Sequence, residues 1–304
     1  MKKVLITGSN GLLGQKIIKQ LQGQPVEIIA VSKGINRIKS LYKSKYHSVD
    51  ISATDAIASL IHKEQPDVII NSAAITNVDD CEVKKELCWR VNVTAVQYLA
   101  DAAEKCGAHL IHLSTDFVFD GKNGPYKEEA KVNPLSYYGE SKVAAEKILF
   151  NSKCKWAIVR TVLVYGTGEG LSRSNIILWA FDALKKGEPL NVVDDQYRSP
   201  TLAEDLADGC IRIADQLATG VFNVSGKDFM NIHEMITRVA NHQMLGTNNI
   251  NKISSQTLNQ VAVRPPITGL DISKAQKVLG YNPRTFEEGL TLVKSQINYY
   301  EDVK

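Results

Sequence analysis

No apolar run in the chain reaches the ~18 residues that a membrane-spanning helix needs. Cysteine is scarce. Five residues, at 81, 88, 106, 154 and 210, are scattered without C-x-x-C spacing, which argues against a disulfide framework or a zinc knuckle. Charge of one sign is also lacking. The formal net charge is +3 and the basic residues are dispersed, so no polybasic footprint for nucleic acid or an anionic membrane is present. Met1-Lys2-Lys3 runs straight into a strand-like segment, so no secretory leader is expected. A cytoplasmic protein with reduced thiols is the resulting expectation. His109 and His112 look like a metal pair, but three-residue spacing in a strand sends them to opposite faces. Asp194 and Asp195 read as a solvated acidic turn, and no metal is expected. No internal repeat or low-complexity segment is visible. What remains is 304 residues, 44% apolar and 23% charged, enough for one large domain or two.

The most informative stretch is Val4-Leu5-Ile6-Thr7-Gly8-Ser9-Asn10-Gly11-Leu12-Leu13-Gly14. A strand-length apolar run ends in three glycines at three-residue spacing, and a helix-like segment over 12–21 follows at once. That order is the context in which a glycine motif binds a dinucleotide. Gly8 would allow the sharp turn, Gly11 the approach of a pyrophosphate, and Gly14 close packing of helix on strand. The helix N-terminus would then face the anion. The alternative is a tight strand-to-helix turn with no ligand. The spacing is G-x-x-G-x-x-G rather than the general G-x-G-x-x-G.

Strand patterns over 4–7, 26–31, 46–49, 68–71, 110–114 and 156–160 alternate with helical patterns over 12–21, 56–62, 87–106 and 137–150, with Thr54 as a candidate cap. This alternation predicts an α/β fold: a doubly wound parallel (Rossmann) sheet covered on both faces. Ligands in such sheets lie outside the carboxyl ends of the strands. Residues 7–14, 32–33, 71–74, 114–116 and 160–166 should therefore rim one crevice. The pattern becomes less regular past residue 165. The expected division is a dinucleotide-binding domain over 1–165 and a smaller mixed substrate lobe over 166–304, with 221–224 the best candidate to return to the sheet.

The end of the second strand reads Val31-Ser32-Lys33, with Arg37 four residues on and no acid at that point. A basic residue there favours the 2′-phosphate of NADP, an acidic one the 2′-hydroxyl of NAD. NADP(H) is preferred on this ground, with NAD(H) the alternative and solvated loop charges the bland reading of Lys33 and Arg37. Asp50 and Ile51 are placed to touch adenine. Tyr138 and Lys142 are four apart in a predicted helix and share a face. A nearby ammonium lowers a phenol's pKa, so Lys142 is expected to tune Tyr138 for proton transfer. Tyr137 has Ser141 at the same offset and lacks that partner. The alternative is a surface Tyr-Lys pair. Ser114-Thr115-Asp116 ends the fifth strand across the crevice, and the Thr115 hydroxyl could hold a substrate carbonyl oxygen.

Together, residues 7–14, Asn71-Ser72-Ala73-Ala74, Ser114-Thr115 and Tyr138-Gly139-Glu140-Ser141-Lys142 resemble the extended short-chain dehydrogenase/reductase family. The segments 114–121, 160–166, 195–201 and 264–271 narrow the resemblance to its dTDP-4-dehydrorhamnose reductase branch. The resemblance implies an oxidoreductase in which NADPH reduces the C4 ketone of a nucleotide-linked 6-deoxy sugar. It implies catalytic roles for Thr115, Tyr138 and Lys142. It also implies cofactor contacts at Gly8, Asn10, Gly11, Leu12, Leu13, Ser32, Lys33, Arg37, Asp50, Ile51, Ala73, Ala74, Asn92, Ser114, Tyr138 and Lys142. Substrate contacts are implied at Thr115, Asp116, Phe117, Arg198 and Arg264. Leu163 stands where the branch often has tryptophan, and Arg198 where glycine is usual. The implied partner is a nucleotide sugar, with neither nucleic acid nor membrane and with a homodimer left open. The alternatives are a nucleotide-sugar epimerase or dehydratase of the same family, and a non-catalytic regulatory subunit resembling that of methionine adenosyltransferase.

Overall fold

In the computed structural model the described residues are 1–39 and 44–302, with side chains described up to 297. The first half alternates strand and helix: β1 Lys2–Thr7, α1 Leu12–Leu21, β2 Val26–Ser32, β3 Lys45–Ser48, α2 Thr54–Glu64, β4 Val68–Asn71. It continues with α3 Val78–Val83, α4 Lys85–Trp89, α5 Ala95–Cys106, β5 His109–Thr115, α6 Tyr137–Asn151 and β6 Lys155–Thr161. Two corrections to the sequence reading stand out. Thr54 opens α2 rather than capping it; Ala53 holds the cap position without a side-chain bond. The helical pattern over 87–106 begins at Lys85 and is interrupted by a π-turn, Arg90–Thr94. Such wide turns arise where one residue too many is accommodated in a helix, and they cluster at functional sites. Asn92 sits in this one.

Seven parallel strands form the central sheet in the order β11-β6-β5-β4-β1-β2-β3. Here β11 is Gly220–Asn223, which pairs with β6 from Gly220 opposite Ala157 to Asn223 opposite Arg160. Alternation along the strands explains the two layers. Val4 and Ile6 pack with Ile17, Ile18 and Leu21 of α1 on one face. Leu5, Ile29 and Val31 pack with Ile57 and Leu99 on the other. The chain winds outward from β1 to β3, then returns to pair β4 with the other side of β1. The carboxyl ends of β1 and β4 therefore flank the switch point, where open parallel sheets bind ligands.

The remaining elements are β7 Val164–Tyr165, α7 Ile176–Lys186, β8 Leu190–Val193, β9 Tyr197–Arg198, β10 Thr201–Leu202, α8 Ala203–Gln216, β12 Met230–Asn231, α9 Ile232–His242, β13 Ile250–Ile253, α10 Ser273–Leu279 and α11 Phe286–Asp302. They pair as three two-stranded sheets, β10-β7, β12-β9 and β13-β8. A second core of Ile177, Leu190, Met235, Ile236, Phe286 and Leu290 holds them. Helix α8 instead packs on the main sheet, through Leu206, Cys210 and Ile213. No described helix is long and apolar enough to cross a membrane.

Candidate active site

The glycine turn is tight for stated reasons. Gly8 has φ +69°, and a Cβ there would lie 2.8 Å from the Ala73 nitrogen. The turn after β1 thus touches the loop after β4, which Ser72 ties down by donating to the Thr7 carbonyl at 2.6 Å. A Cβ on Gly14 would lie 2.7 Å from the Ser9 Cα, so only glycine lets α1 approach. Gly11 differs. It is exposed, it caps α1 without any side-chain bond, and its Cβ would meet only the Gly8 carbonyl, at 3.1 Å. The first amides of α1, at Leu12 and Leu13, therefore lie under open space, a cradle that fits a pyrophosphate.

The loop after β2 is organised by Asn10. Its amide donates to the Ile35 carbonyl at 2.8 Å and accepts from the Arg37 backbone at 3.0 Å, fixing the loop after β2. Lys33 is 80% exposed and pairs with Asp50 at 3.0 Å. Hydrogen bonds from Ser52, aided by Lys33, hold the Asp50 carboxyl down at about 2. Ser32, half-buried, ends β2 beside them. Ile51 is a core residue rather than an open surface. Ala73 and Ala74 are half-buried on the opposite wall. Sequence reasoning missed Gln15 and Arg173. Gln15 donates to the Glu169 carbonyl at 2.8 Å, and Arg173 donates to Thr76 at 3.1 Å. The glycine-rich loop after β7 is thereby fastened to both α1 and the β4 loop.

Tyr138 and Lys142 are both buried on α6. The expected depression of the Tyr138 phenol by Lys142 is absent. Burial pushes the phenol well above its ordinary value, a hydrogen bond with Thr115 pulls it back, and the Asp116 charge pushes it up again. Lys142 instead turns inward. It donates to the Leu113 carbonyl and lies 3.2 Å from His112 Nε2. Burial lowers its ammonium to about 8, against the opposing charge of Glu146. Asn92 accepts from the Ile75 amide at 2.8 Å and donates to Ser141 at 3.2 Å, so the π-turn clamps the β4 loop to α6. Cys81 and Cys88 pack against Tyr138 in the same wall. Ser114 faces inward as well, donating to Glu146 at 2.6 Å beside the bidentate Arg160 pair. Tyr137 is turned outward, with Lys85 over its ring at 5.0 Å.

Across from Tyr138, the Thr115 hydroxyl donates to Asp116 at 3.0 Å and accepts from the Phe117 amide at 3.2 Å. Asp116 is fully buried and also accepts from Thr268. Burial raises its carboxyl, and the Arg198 charge opposes the rise. Phe117 meets the Tyr138 ring edge-on at 5.9 Å. Arg198 is not presented to solvent. Its fork donates to the carbonyls of Tyr197, Pro265 and Pro266 at 2.7, 2.7 and 3.0 Å, and its Nε lies 4.0 Å from Asp116. Arg264 makes a two-pronged pair with Asp79 of α3, at 2.7 and 3.2 Å. Both arginines are committed to partners that join distant segments. Leu163, in the link between β6 and β7, holds φ +38°, a left-handed conformation costly for a branched side chain.

The sequence matches the RmlD substrate binding domain family over residues 1–298. The chain belongs to that family. It is 31% identical to the dTDP-4-dehydrorhamnose reductase of Aggregatibacter actinomycetemcomitans, over 97% of this chain and 99% of that one. It is 33% identical to methionine adenosyltransferase 2 subunit beta of Rattus norvegicus, over 93% of this chain and 84% of that one. Its fold superposes on the dTDP-4-dehydrorhamnose reductase of Bacillus anthracis str. Ames, solved in complex with NADP, with a TM-score of 0.86. That pair is 26% identical, covering 97% of this chain and 100% of the other. The parallel Rossmann sheet is the architecture this chain shares with that reductase.

Proposed function

We propose that the chain is an NADPH-dependent reductase of the C4 ketone of a nucleotide-linked 6-deoxy sugar, of the dTDP-4-dehydrorhamnose reductase type. The observation that carries this reading is the hydrogen bond between the Tyr138 phenol of α6 and the Thr115 hydroxyl that ends β5, with the buried Lys142 ammonium one turn further along the same helix. The 31% identical reductase relative and the fit of the glycine cradle to a dinucleotide support it.

NADPH, when bound, supplies the hydride. The amides at the start of α1 hold the pyrophosphate, and Lys142 holds the nicotinamide ribose. Lys33 and Arg37 meet the 2′-phosphate. Thr115 holds the reacting ketone oxygen. Tyr138 gives that oxygen its proton. The phenol is protonated at neutral pH and so starts the cycle with a proton to give. Residues past 165, apart from β11 and α8, which return to the sheet, form the substrate lobe, in which Arg198 and Arg264 shape the pocket through the segments they join, beside Asp116 and Phe117.

Purified protein mixed with NADPH and dTDP-4-dehydro-6-deoxy-L-mannose should consume NADPH steadily, and a panel of other nucleotide 4-keto sugars should be turned over more slowly. Absence of NADPH consumption across the panel would overturn the reading. The 33% identical methionine adenosyltransferase subunit supports a second reading, a non-catalytic regulatory subunit. Co-purification with a catalytic partner, together with no turnover, is the outcome that would favour it.

A further inference from the structure

Four fully buried polar residues form a line beneath the crevice. Thr7 Oγ1 donates to Asn71 Oδ1 at 2.6 Å, Asn71 Nδ2 lies 3.0 Å from His112 Nδ1, and His112 Nε2 lies 3.2 Å from the Lys142 ammonium. The line starts at the end of β1, crosses β4 and β5, and ends on α6. All four residues are at most 2% exposed. Strand alternation points His112 at α6, on the face opposite His109 and Ile111. The metal pairing is therefore no account of His112, and the proposed mechanism gives it no task.

A lysine ammonium has three N–H donors and no acceptor. The Leu113 carbonyl takes one donor of Lys142. His112 Nε2 is the only other group within hydrogen-bond distance among the described residues. The nearby charges act from further away: Glu146 on the same helix, with Cys88 and Cys81 from α4 and α3. The imidazole itself must be neutral. Burial and the Lys142 charge both hold its pKa far below the ordinary value. A neutral imidazole offers one lone pair, and the nitrogen that offers it is set by the partner of the other. With the Asn71 nitrogen toward Nδ1 the ring proton would sit on Nε2, against an ammonium that cannot accept it; turning the amide over brings its oxygen to Nδ1, fixes the proton there and leaves Nε2 free to accept. Thr7 is compatible with that placement because a hydroxyl can accept from the amide nitrogen as readily as donate to its oxygen.

We propose that His112 is the positioning residue of Lys142: Nε2 accepts one N–H of the ammonium, Asn71 fixes the ring tautomer, and the third N–H of the lysine is left for a ribose hydroxyl of the cofactor. This assignment rests on the nicotinamide-dependent reading of the site. It adds to that reading the reason a lysine without a carboxylate within hydrogen-bond distance keeps its charge in a dry wall.

The test follows the Lys142 titration directly, by NMR of the full chain labelled at lysine Cε, with the resonance identified by its loss in Lys142→Met. The wild-type midpoint is expected near 8. His112→Asn keeps a polar group beside Asn71 but ends short of Nε2. It should lower the midpoint by about one pH unit or more, the scale of a lost hydrogen bond to a charged group. His112→Gln reaches the Nε2 position and should restore at least half of that shift. NADPH affinity, titrated without sugar, should fall about tenfold in His112→Asn and recover in His112→Gln. Should His112→Asn not fold, Asn71→Ala releases Nδ1 while leaving the ring and must itself lower the midpoint. An unchanged midpoint in whichever of these two variants folds overturns the proposal, and equal shifts in the Asn and Gln variants do the same. A wild-type protein that binds no NADPH, yet shows the predicted midpoint shifts, defeats the cofactor reading and leaves the His112–Lys142 coupling standing.

Discussion

At one end of the crevice Lys142 is 2% exposed and every polar neighbour is fixed by a hydrogen bond. At the other end the Lys33 side chain is 80% exposed and holds one carboxylate, Asp50. The chemical end works by desolvation. Burial keeps the Tyr138 proton on and brings the Lys142 ammonium close to losing its own. At the Lys33 end the charge is solvated, and an ion pair there contributes ~0–1 kcal/mol. A substitution in the first region should therefore change chemistry or stability strongly, and one in the second should only tilt a preference.

The largest effect is expected at Tyr138. Tyr138→Phe should lower turnover by ~10²–10⁴-fold, the usual scale for a lost proton-transfer group, with NADPH affinity nearly unchanged. Steady-state kinetics beside a direct NADPH titration checks both halves, and near-normal turnover would remove Tyr138 from the chemistry. Glu146→Ala comes next. It leaves the Arg160 guanidinium, 3% exposed, without its carboxylate, and breaking a buried pair in this way costs about 3–5 kcal/mol. Urea unfolding reads that loss, and a change under ~1 kcal/mol would mean that the pair is not a structural element of the β6–α6 packing. Lys142→Ala should weaken NADPH binding and slow the chemical step together, each by roughly tenfold or more, as befits a charge-assisted hydrogen bond. Wild-type turnover should also decline as pH rises through about 8, because the ammonium is the form present below that value. Unchanged NADPH affinity in Lys142→Ala would contradict the ribose role. The smallest effect is expected at Lys33. Lys33→Ala should weaken NADPH by no more than about fivefold and leave NADH untouched. A loss of a hundredfold would show that the two ends are built alike after all.

The same contrast explains what the amino-acid order made legible. β1, the glycine turn and α1 were readable because their signals are local. A short apolar run, three spaced glycines and a helical period all lie within one βα unit, and α1 runs over Leu12–Leu21 as expected. The sheet followed from the repeated strand–helix alternation. Tyr138 and Lys142 were legible as a pair because helical spacing places them on one face. Their proton affinities were not, because these depend on what α6 packs against, and burial outweighs the lysine at Tyr138. The π-turn at Asn92 was invisible, since one extra residue hardly disturbs an apolar helical pattern. Arg198 and Arg264 entered only as substrate contacts implied by the family resemblance. Their partners lie far away in the chain: Arg264 meets Asp79 across 185 residues, and Arg198 meets the Pro265 carbonyl across 67. No local pattern encodes such pairings. His112 was noticed for its spacing from His109, while its actual neighbours, Asn71 and Lys142, come from β4 and α6.

The most direct measurement of the central claim uses NADPH deuterated at the transferring nicotinamide position, mixed with dTDP-4-dehydro-6-deoxy-L-mannose and wild-type protein. Mass and NMR spectra of the product should show one deuterium at sugar C4, with the yield per unit time cut by at least ~10² in Tyr138→Phe. A sugar recovered without deuterium, with the NADPH still reduced, would contradict the account.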